Sequence, residues 1–308
     1  MTTFHNVSSI TNKDRISSLE DNIKSFLDWS FLHIGGFVNV NIPTSGINGG
    51  NFHILKSTSD PSLGNKVWQS PRKDWVYETG IVYASGSPIQ FSGIYLNNTF
   101  LPAPTGSGSY SYNINYPLGQ VIFTNPVSAN STIQANYSYR YVQTYKSSDS
   151  FWWKEVQKET YNPSNFNKQD YSITSVHRVQ LPAIIIELIP RTVQIPYQLG
   201  SVDNIIIQDI FLHIYTENAN QRNILIDTLI HQKDKTLYLY DISNVIKNNR
   251  YSLNKFGNIN PSGYSYPNIL NNFSSYWCTI KDSNIAELNT LSSSLYNGIV
   301  RWSMEIFP

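Results

Sequence analysis

The stretch Asp209-Ile210-Phe211-Leu212-His213-Ile214-Tyr215-Thr216-Glu217-Asn218 decides the fold, because the periodicity of the chain changes at its end. Residues 205–216 are dense in β-branched and aromatic side chains and read as a strand. From 219 to 232 the spacing becomes helical, with Ile224, Leu225, Thr228 and Leu229 on one face. Asn218 stands where a helix needs a side-chain oxygen to accept from a free first-turn N–H. Upstream, residues 176–189 read as a strand closed by Pro190, with a loop through Pro196-Tyr197-Gln198-Leu199-Gly200. Downstream, 235–240 and 299–307 read as strands with an irregular region between them. The order predicts an α+β sheet, mostly antiparallel, with a helix packed on one face.

The amino-terminal half has a different rhythm. Residues 14–33 place Ile16, Leu19, Ile23, Phe26, Leu27 and Ser30 at helical spacing, with Asn12 as the N-cap and Gly35-Gly36 as the stop. The pattern then shifts to period two in short runs at 37–42, 74–83 and 89–96, punctuated by Gly, Pro and Asn. Tyr110, Tyr112, Ile114 and Tyr116 alternate with polar residues, and Pro117-Leu118-Gly119-Gln120 turns the chain into Val121-Ile122-Phe123, a hairpin. Residues 132–145 read as one long strand, with Ile133, Ala135, Tyr137, Tyr139, Tyr141 and Tyr145 on its buried face. The expectation is an amino-terminal helix plus a β-sandwich-like domain over 1–145, and an α+β domain over 173–308.

Between them, 146–172 loses all periodicity while surrounding Phe151-Trp152-Trp153 with Ser, Asn, Asp and Lys. Large aromatics gain most from burial, so a tryptophan pair in a polar connector predicts docking, either back onto the chain or onto a neighbouring subunit. Phe151, Trp152, Trp153, Tyr161 and Tyr197 are the expected subunit-interface residues.

Composition narrows the function. Twenty-two basic and 21 acidic residues give a net charge of +1, so no broad field is available to hold duplex DNA or coat an anionic membrane. No apolar run reaches membrane-spanning length and no basic-then-apolar leader opens the chain, which predicts a soluble protein made in the cytoplasm. The single cysteine, Cys278, sits in Tyr276-Trp277-Cys278-Thr279-Ile280 and is expected to be a buried thiol. The six histidines lack the spacing of a helical zinc site, and no Gly-x-Ser-x-Gly elbow or phosphate-loop ending follows the glycines of 105–109. His213, inside an apolar strand, reads as a satisfied structural histidine. No catalytic residue, metal or cofactor is expected, and the chain reads as a non-enzyme.

Two sets of motifs resemble a known class. Phe91-Ser92-Gly93-Ile94-Tyr95-Leu96-Asn97-Asn98, Ile114-Asn115-Tyr116-Pro117-Leu118-Gly119-Gln120-Val121-Ile122-Phe123 and Ala135-Asn136-Tyr137-Ser138-Tyr139-Arg140 resemble β-rich virion proteins of tailed phages. Pro196-Tyr197-Gln198-Leu199-Gly200, the 209–218 stretch and the helix beginning near Arg222 resemble the strand-into-helix core of phage neck and tail-terminator proteins. The resemblance implies a virion structural protein of the neck or head–tail connection, assembling as a ring of six or twelve copies. Its implied partners are copies of itself, other neck, portal-side or tail-tube proteins, and DNA passing through the lumen, with no membrane. Many terminators are shorter and lack an amino-terminal β-domain of this size. The aromatic-rich strands equally suit a tail-associated glycan- or receptor-binding module. A virion-associated hydrolase would require a pocket of converging carboxylates.

Overall fold

The computed structural model describes residues 16, 18–42, 52–58, 64–84, 86–103, 108, 110–149, 179–198 and 204–307, and its fold is α+β and β-rich. Two compact units are interleaved in sequence. One takes Met1–Leu27, Gln143–Tyr251 and Tyr266–Pro308; the other takes Asp28–Val142 and Ser252–Ser265. The sequence reading drew contiguous blocks instead. A contiguous cut could not foresee that 252–265 leaves the carboxy-terminal half to join the core of the Asp28–Val142 unit, where Leu253 packs.

The helix α1 (Leu19–His33) begins five residues later than the spacing suggested, and its proposed cap Asn12 lies outside the described residues. Its apolar stripe holds: Leu19, Ile23, Phe26 and Leu27 are buried, joined by Phe31 and Leu32.

The β-sandwich-like unit is built from short strands: β1 (Phe37–Val40), β2 (Ile54–Ser57), β3 (Val67–Gln69), β4 (Gly93–Leu96), β5 (Thr99–Pro102), β6 (Tyr112–Asn115), β7 (Gln120–Phe123), β8 (Ile133–Ala135) and β9 (Tyr137–Arg140). Seven of them form one sheet in the order β5-β4-β8-β2-β3-β7-β6, while β1 pairs with β9 alone. The β6–β7 hairpin matches the sequence reading, with Tyr112 opposite Phe123 and Asn115 opposite Gln120. Its turn needs glycine at 119: φ is +61°, and a Cβ there would lie 2.5 Å from the Arg72 carbonyl oxygen. Trp75 anchors the core. Its ring stacks 4.4 Å from Tyr137 and 5.2 Å from Phe91, and its Nε1–H donates to Ser70 Oγ at 3.0 Å. The outer edge of β6 is covered by the 252–265 insertion, since Ile114 N–H donates to Asn258 Oδ1 and Tyr116 N–H to the Gly257 carbonyl.

Two expectations fail in this region. Residues 74–83 form no strand, only isolated bridges from Trp75 to Tyr139 and from Tyr83 to Gly86. The single strand at 132–145 is three strands in three different sheets: β8, β9, and β10 (Gln143–Lys146), which belongs to the other unit. Alternation survives in β8 but not in β9, where Ser138 and Arg140 are buried alongside Tyr137 and Tyr139. Arg140 is accommodated by an ion pair with Glu78 and by donation to the Asp28 carbonyl. Burial opposes its charge, but Glu78 and Asp28 more than compensate and hold its pKa above the usual arginine value.

The α+β unit is a six-stranded sheet in the order β10-β11-β12-β15-β14-β13. Its members besides β10 are β11 (Ala183–Pro196), β12 (Asn204–Thr216), β13 (Thr236–Tyr240), β14 (Ser274–Ser292) and β15 (Leu295–Phe307). All neighbours are antiparallel except β10 and β11. The helices are α2 (Ala219–Ile230), α3 (Ile242–Lys247) and α4 (Tyr266–Phe273). As the sequence indicated, Asn218 caps α2 by accepting from Gln221 N–H at 2.8 Å. The buried face of α2 is Leu225, Ile226 and Leu229; Ile224 points outward. The helix docks tightly. Leu229 carbonyl accepts from both Trp302 Nε1 and Ser283 Oγ at 3.2 Å, and a Cβ on Gly298 would meet Ile226 Cδ1 at 2.6 Å.

Pro190 does not end β11. The register slips between Leu188 and Thr192, and Gln208 repairs the bulge by donating from Nε2 to the Ile189 carbonyl and accepting from Thr192 Oγ1. The region between Tyr240 and Ile299 also differs from expectation, since it contains the longest strand, β14. Three register shifts, at Ile280/Asp282, Ile285/Glu287 and Thr290/Ser292, break the period-two pattern that would have revealed it.

Candidate functional site

Side chains that alternate along β12 and β15 divide the six-stranded sheet into two unlike faces. Ile210, Leu212, Ile214, Val300, Trp302, Met304 and Ile306 are fully buried on the face that carries α2. The other face bears Asp209, Phe211, His213, Arg301 and Glu305 and is only partly covered. It is organised in rows set by the strand register.

At one end of this open face runs an apolar row. Ile195 pairs with Ile205, Phe307 with Trp277, and Trp277 with Tyr238; Ile205 and Phe307 flank the Ile206–Ile306 pair, so the row crosses five strands. The Trp277 and Phe307 rings stack at 4.0 Å with 9° between their planes. The next row is Val193, Ile207, Glu305, Thr279 and Thr236, with Lys281 Nζ 3.7 Å from Glu305. Much of this surface meets solvent: Tyr238 is 56% exposed, Ile195 45%, Tyr197 44%, Val193 42% and Trp277 37%.

Charge is concentrated in the middle of the face and neutralised there. Arg301 pairs with the buried Asp209 at 2.5 Å, and His213 Nε2 lies 2.7 Å from Glu187 Oε2. His213 is thus a partnered strand histidine, as the sequence suggested. At the far end Ile185 and Tyr215 pack with Tyr145, Leu181 and Leu295. No group of three or more His, Cys, Asp or Glu side chains that could hold a metal ion occurs among the described residues. Cys278 is fully buried on the helix side, and burial pushes its thiol up to about 12. The chemistry offered by the open face is contact, through exposed aromatic and aliphatic groups beside paired charges.

Of the interface residues expected from sequence, Phe151, Trp152, Trp153 and Tyr161 lie outside the described residues. Tyr197 is exposed one residue beyond β11, next to the apolar row. Sequence reading missed Tyr238, Trp277, Phe307 and Ile195, because only the strand register gathers them. The signal that was present is the alternation of Tyr276, Cys278 and Ile280 around Trp277, which marks a strand with Trp277 on its opposite face. Compared with protein-family models, curated proteins and solved structures, the chain matches none.

Proposed function

We propose that this chain is a structural subunit of a tailed-phage particle, stationed in the neck or head–tail connection, that works by closing into a ring with copies of itself. The observation that carries this reading is the bare apolar end of the open sheet face. Val193, Ile195, Tyr197, Tyr238 and Trp277 are all between 37% and 56% exposed, and apolar groups gathered on one surface in this way often serve as a contact site. A standard interface removes roughly 800 Å² from each partner, so the patch would supply the dry centre of one. The passage of β12 into α2 supports the same reading, because it is the strand-into-helix arrangement on which the resemblance to neck and terminator proteins rests.

The partners in this proposal are identical subunits first, then neighbouring neck, portal-side or tail-tube proteins. A net charge of +1 would let DNA pass through a lumen without being held strongly. The place of action is the virion, after assembly in the host cytoplasm. No helix among the described residues is long and apolar enough to cross a membrane. The test is negative-stain electron microscopy with native mass measurement of the purified protein. Rings of about six or twelve subunits are expected from closed cyclic assembly. Monomers at every concentration would refute the proposal. A second reading, a tail-associated glycan- or receptor-binding module, is favoured by the exposure of Tyr238 and Trp277 on one face; binding on a glycan array that Trp277→Ala abolishes would support it instead.

A further inference from the structure

Arg72 carries a guanidinium that the β-sandwich-like unit positions but does not neutralise. Its backbone is fixed, because its carbonyl accepts from Ser70 Oγ and, at 3.1 Å, from Trp75 Nε1. The side chain reaches two rings, with Cζ 5.5 Å from the centre of Phe52 and 5.4 Å from that of Tyr139, both within cation–π range. The guanidinium makes no hydrogen bond or ion pair with any described residue. Other cations of the chain are treated differently. Arg140 pairs with Glu78 and Arg301 with Asp209, while Arg222, which also faces a ring, donates to the Asn289 carbonyl at 3.0 Å. The carboxylates that follow Arg72 in sequence are no substitute, since Glu78 and Asp74 both act on Arg140.

A second group beside Arg72 is in the same condition. Tyr139 is 6% exposed, and its hydroxyl has no hydrogen-bond partner among the described residues. The hydroxyl of Tyr137, by contrast, donates to the Phe52 carbonyl at 2.7 Å. Burial raises the Tyr139 phenol above its usual value, and the positive Arg72 works against that rise. The phenol therefore keeps its proton at neutral pH and lies in the field of the guanidinium. A buried donor without an acceptor is costly, and here a donor and a positive charge lack an acceptor together.

We propose that Arg72 and Tyr139 form a binding site for a carboxylate carried by a ligand from outside the chain. The carboxylate accepts N–H groups from the Arg72 fork and the O–H of Tyr139, both charge-assisted contacts. One cation and one neutral phenol balance a single negative charge, which suits a carboxylate better than the nearly doubly charged phosphate monoester. Phe52 is partly exposed and offers its ring to the apolar part of the same ligand. Water would satisfy the hydroxyl but leave the charge uncompensated. The site lies in the β-sandwich-like unit and does not depend on the ring reading, whose surface is on the six-stranded sheet.

The test is a titration of the full-length, nitrogen-labelled chain by nuclear magnetic resonance, following the Arg72 Nε–H signal, assigned as the one lost in Arg72→Lys. Benzoate, glucuronate and a blocked glutamate peptide separate an aromatic acid, a sugar acid and a protein side chain as the source of the carboxylate. At least one should bind saturably and shift this signal, while neutral benzamide should not. Followed through backbone amides, affinity should fall at least about tenfold in Arg72→Lys and about threefold in Tyr139→Phe. Arg191→Lys, at an exposed site in the other unit, should leave it unchanged. Tyr139→Phe should also keep its melting temperature, because it removes a hydroxyl that the chain itself does not use. No saturation by any of the three acids, equal affinity in Arg72→Lys, or binding of benzamide as tight as benzoate would overturn the site. A lowered melting temperature in Tyr139→Phe would show the hydroxyl already engaged within the chain and would overturn it as well.

Discussion

Replacing Asn22 with leucine is the sharpest test of how the α+β unit is held together. Asn22 lies on α1 and is 2% exposed, and its side chain acts as a surrogate peptide group for the end of β13. Tyr240 N–H donates to Asn22 Oδ1 at 3.0 Å, and Asn22 Nδ2 donates to the Tyr240 carbonyl at 2.9 Å and to the Ser18 carbonyl at 2.9 Å. Leucine has the same number and branching of side-chain heavy atoms, so the shape is largely kept while every one of these hydrogen bonds is lost. Tyr240 is 1% exposed, which leaves its N–H and C=O without water as a substitute. Each orphaned group costs about 1–3 kcal/mol, and the leucine recovers part of that through apolar burial, for a net loss of about 2–4 kcal/mol. In a domain of this size that corresponds to a fall in Tm of roughly 5–15 °C by differential scanning calorimetry. Asn272→Leu, at an exposed site in α4, carries the same gain in helix propensity without the buried bonds and serves as the control. Equal Tm values for the two variants would refute the reasoning.

Three further outcomes follow from buried groups. Burial raises Tyr116 and Tyr215 to about 12, and Tyr112, Tyr137, Tyr240 and Tyr266 higher still. Tyrosine ionises near 10.0 when unperturbed, so these groups support the fold fully below pH about 10 and withdraw that support as pH rises through 12. Phenolate absorbance should then rise cooperatively with loss of circular dichroism; complete ionisation with the fold intact would contradict this. Arg140→Met leaves Glu78 buried and unpaired and should cost about 3–5 kcal/mol in urea unfolding, most of it recovered in the double variant with Glu78→Met. Gly119→Val forces a β-branched residue to φ +61° against the Arg72 carbonyl and should cost at least about 2 kcal/mol, whereas an unchanged urea midpoint would show that the β6–β7 turn can relax.

Features that depend on neighbours in sequence were legible. The α2 cap at Asn218, the β6–β7 turn at Gly119, the stripe along α1 and the burial of Cys278 all follow from spacing or residue type. Features that depend on bulges were not. Each slip in β14 and the one around Pro190 reverses the phase of alternation, so a strand of 19 residues reads as irregular and one of 14 reads as ending halfway. The 132–145 run failed for a related reason: β8, β9 and β10 turn into different sheets, and β9 is covered on both sides, where alternation carries no information.

The sequence by itself thus determined the class of the fold, α+β and rich in strands, and the local signals that start and stop its elements. Tertiary structure alone decided the interleaving of the two units, the partnering of Asn22 with Tyr240, and the gathering of Ile195, Tyr238, Trp277 and Phe307 into one exposed row. The physical reason is range: helix periodicity, capping and turn preference act over a few residues, whereas strand register joins positions far apart in the chain, and only the completed sheet gathers those side chains on one partly exposed face.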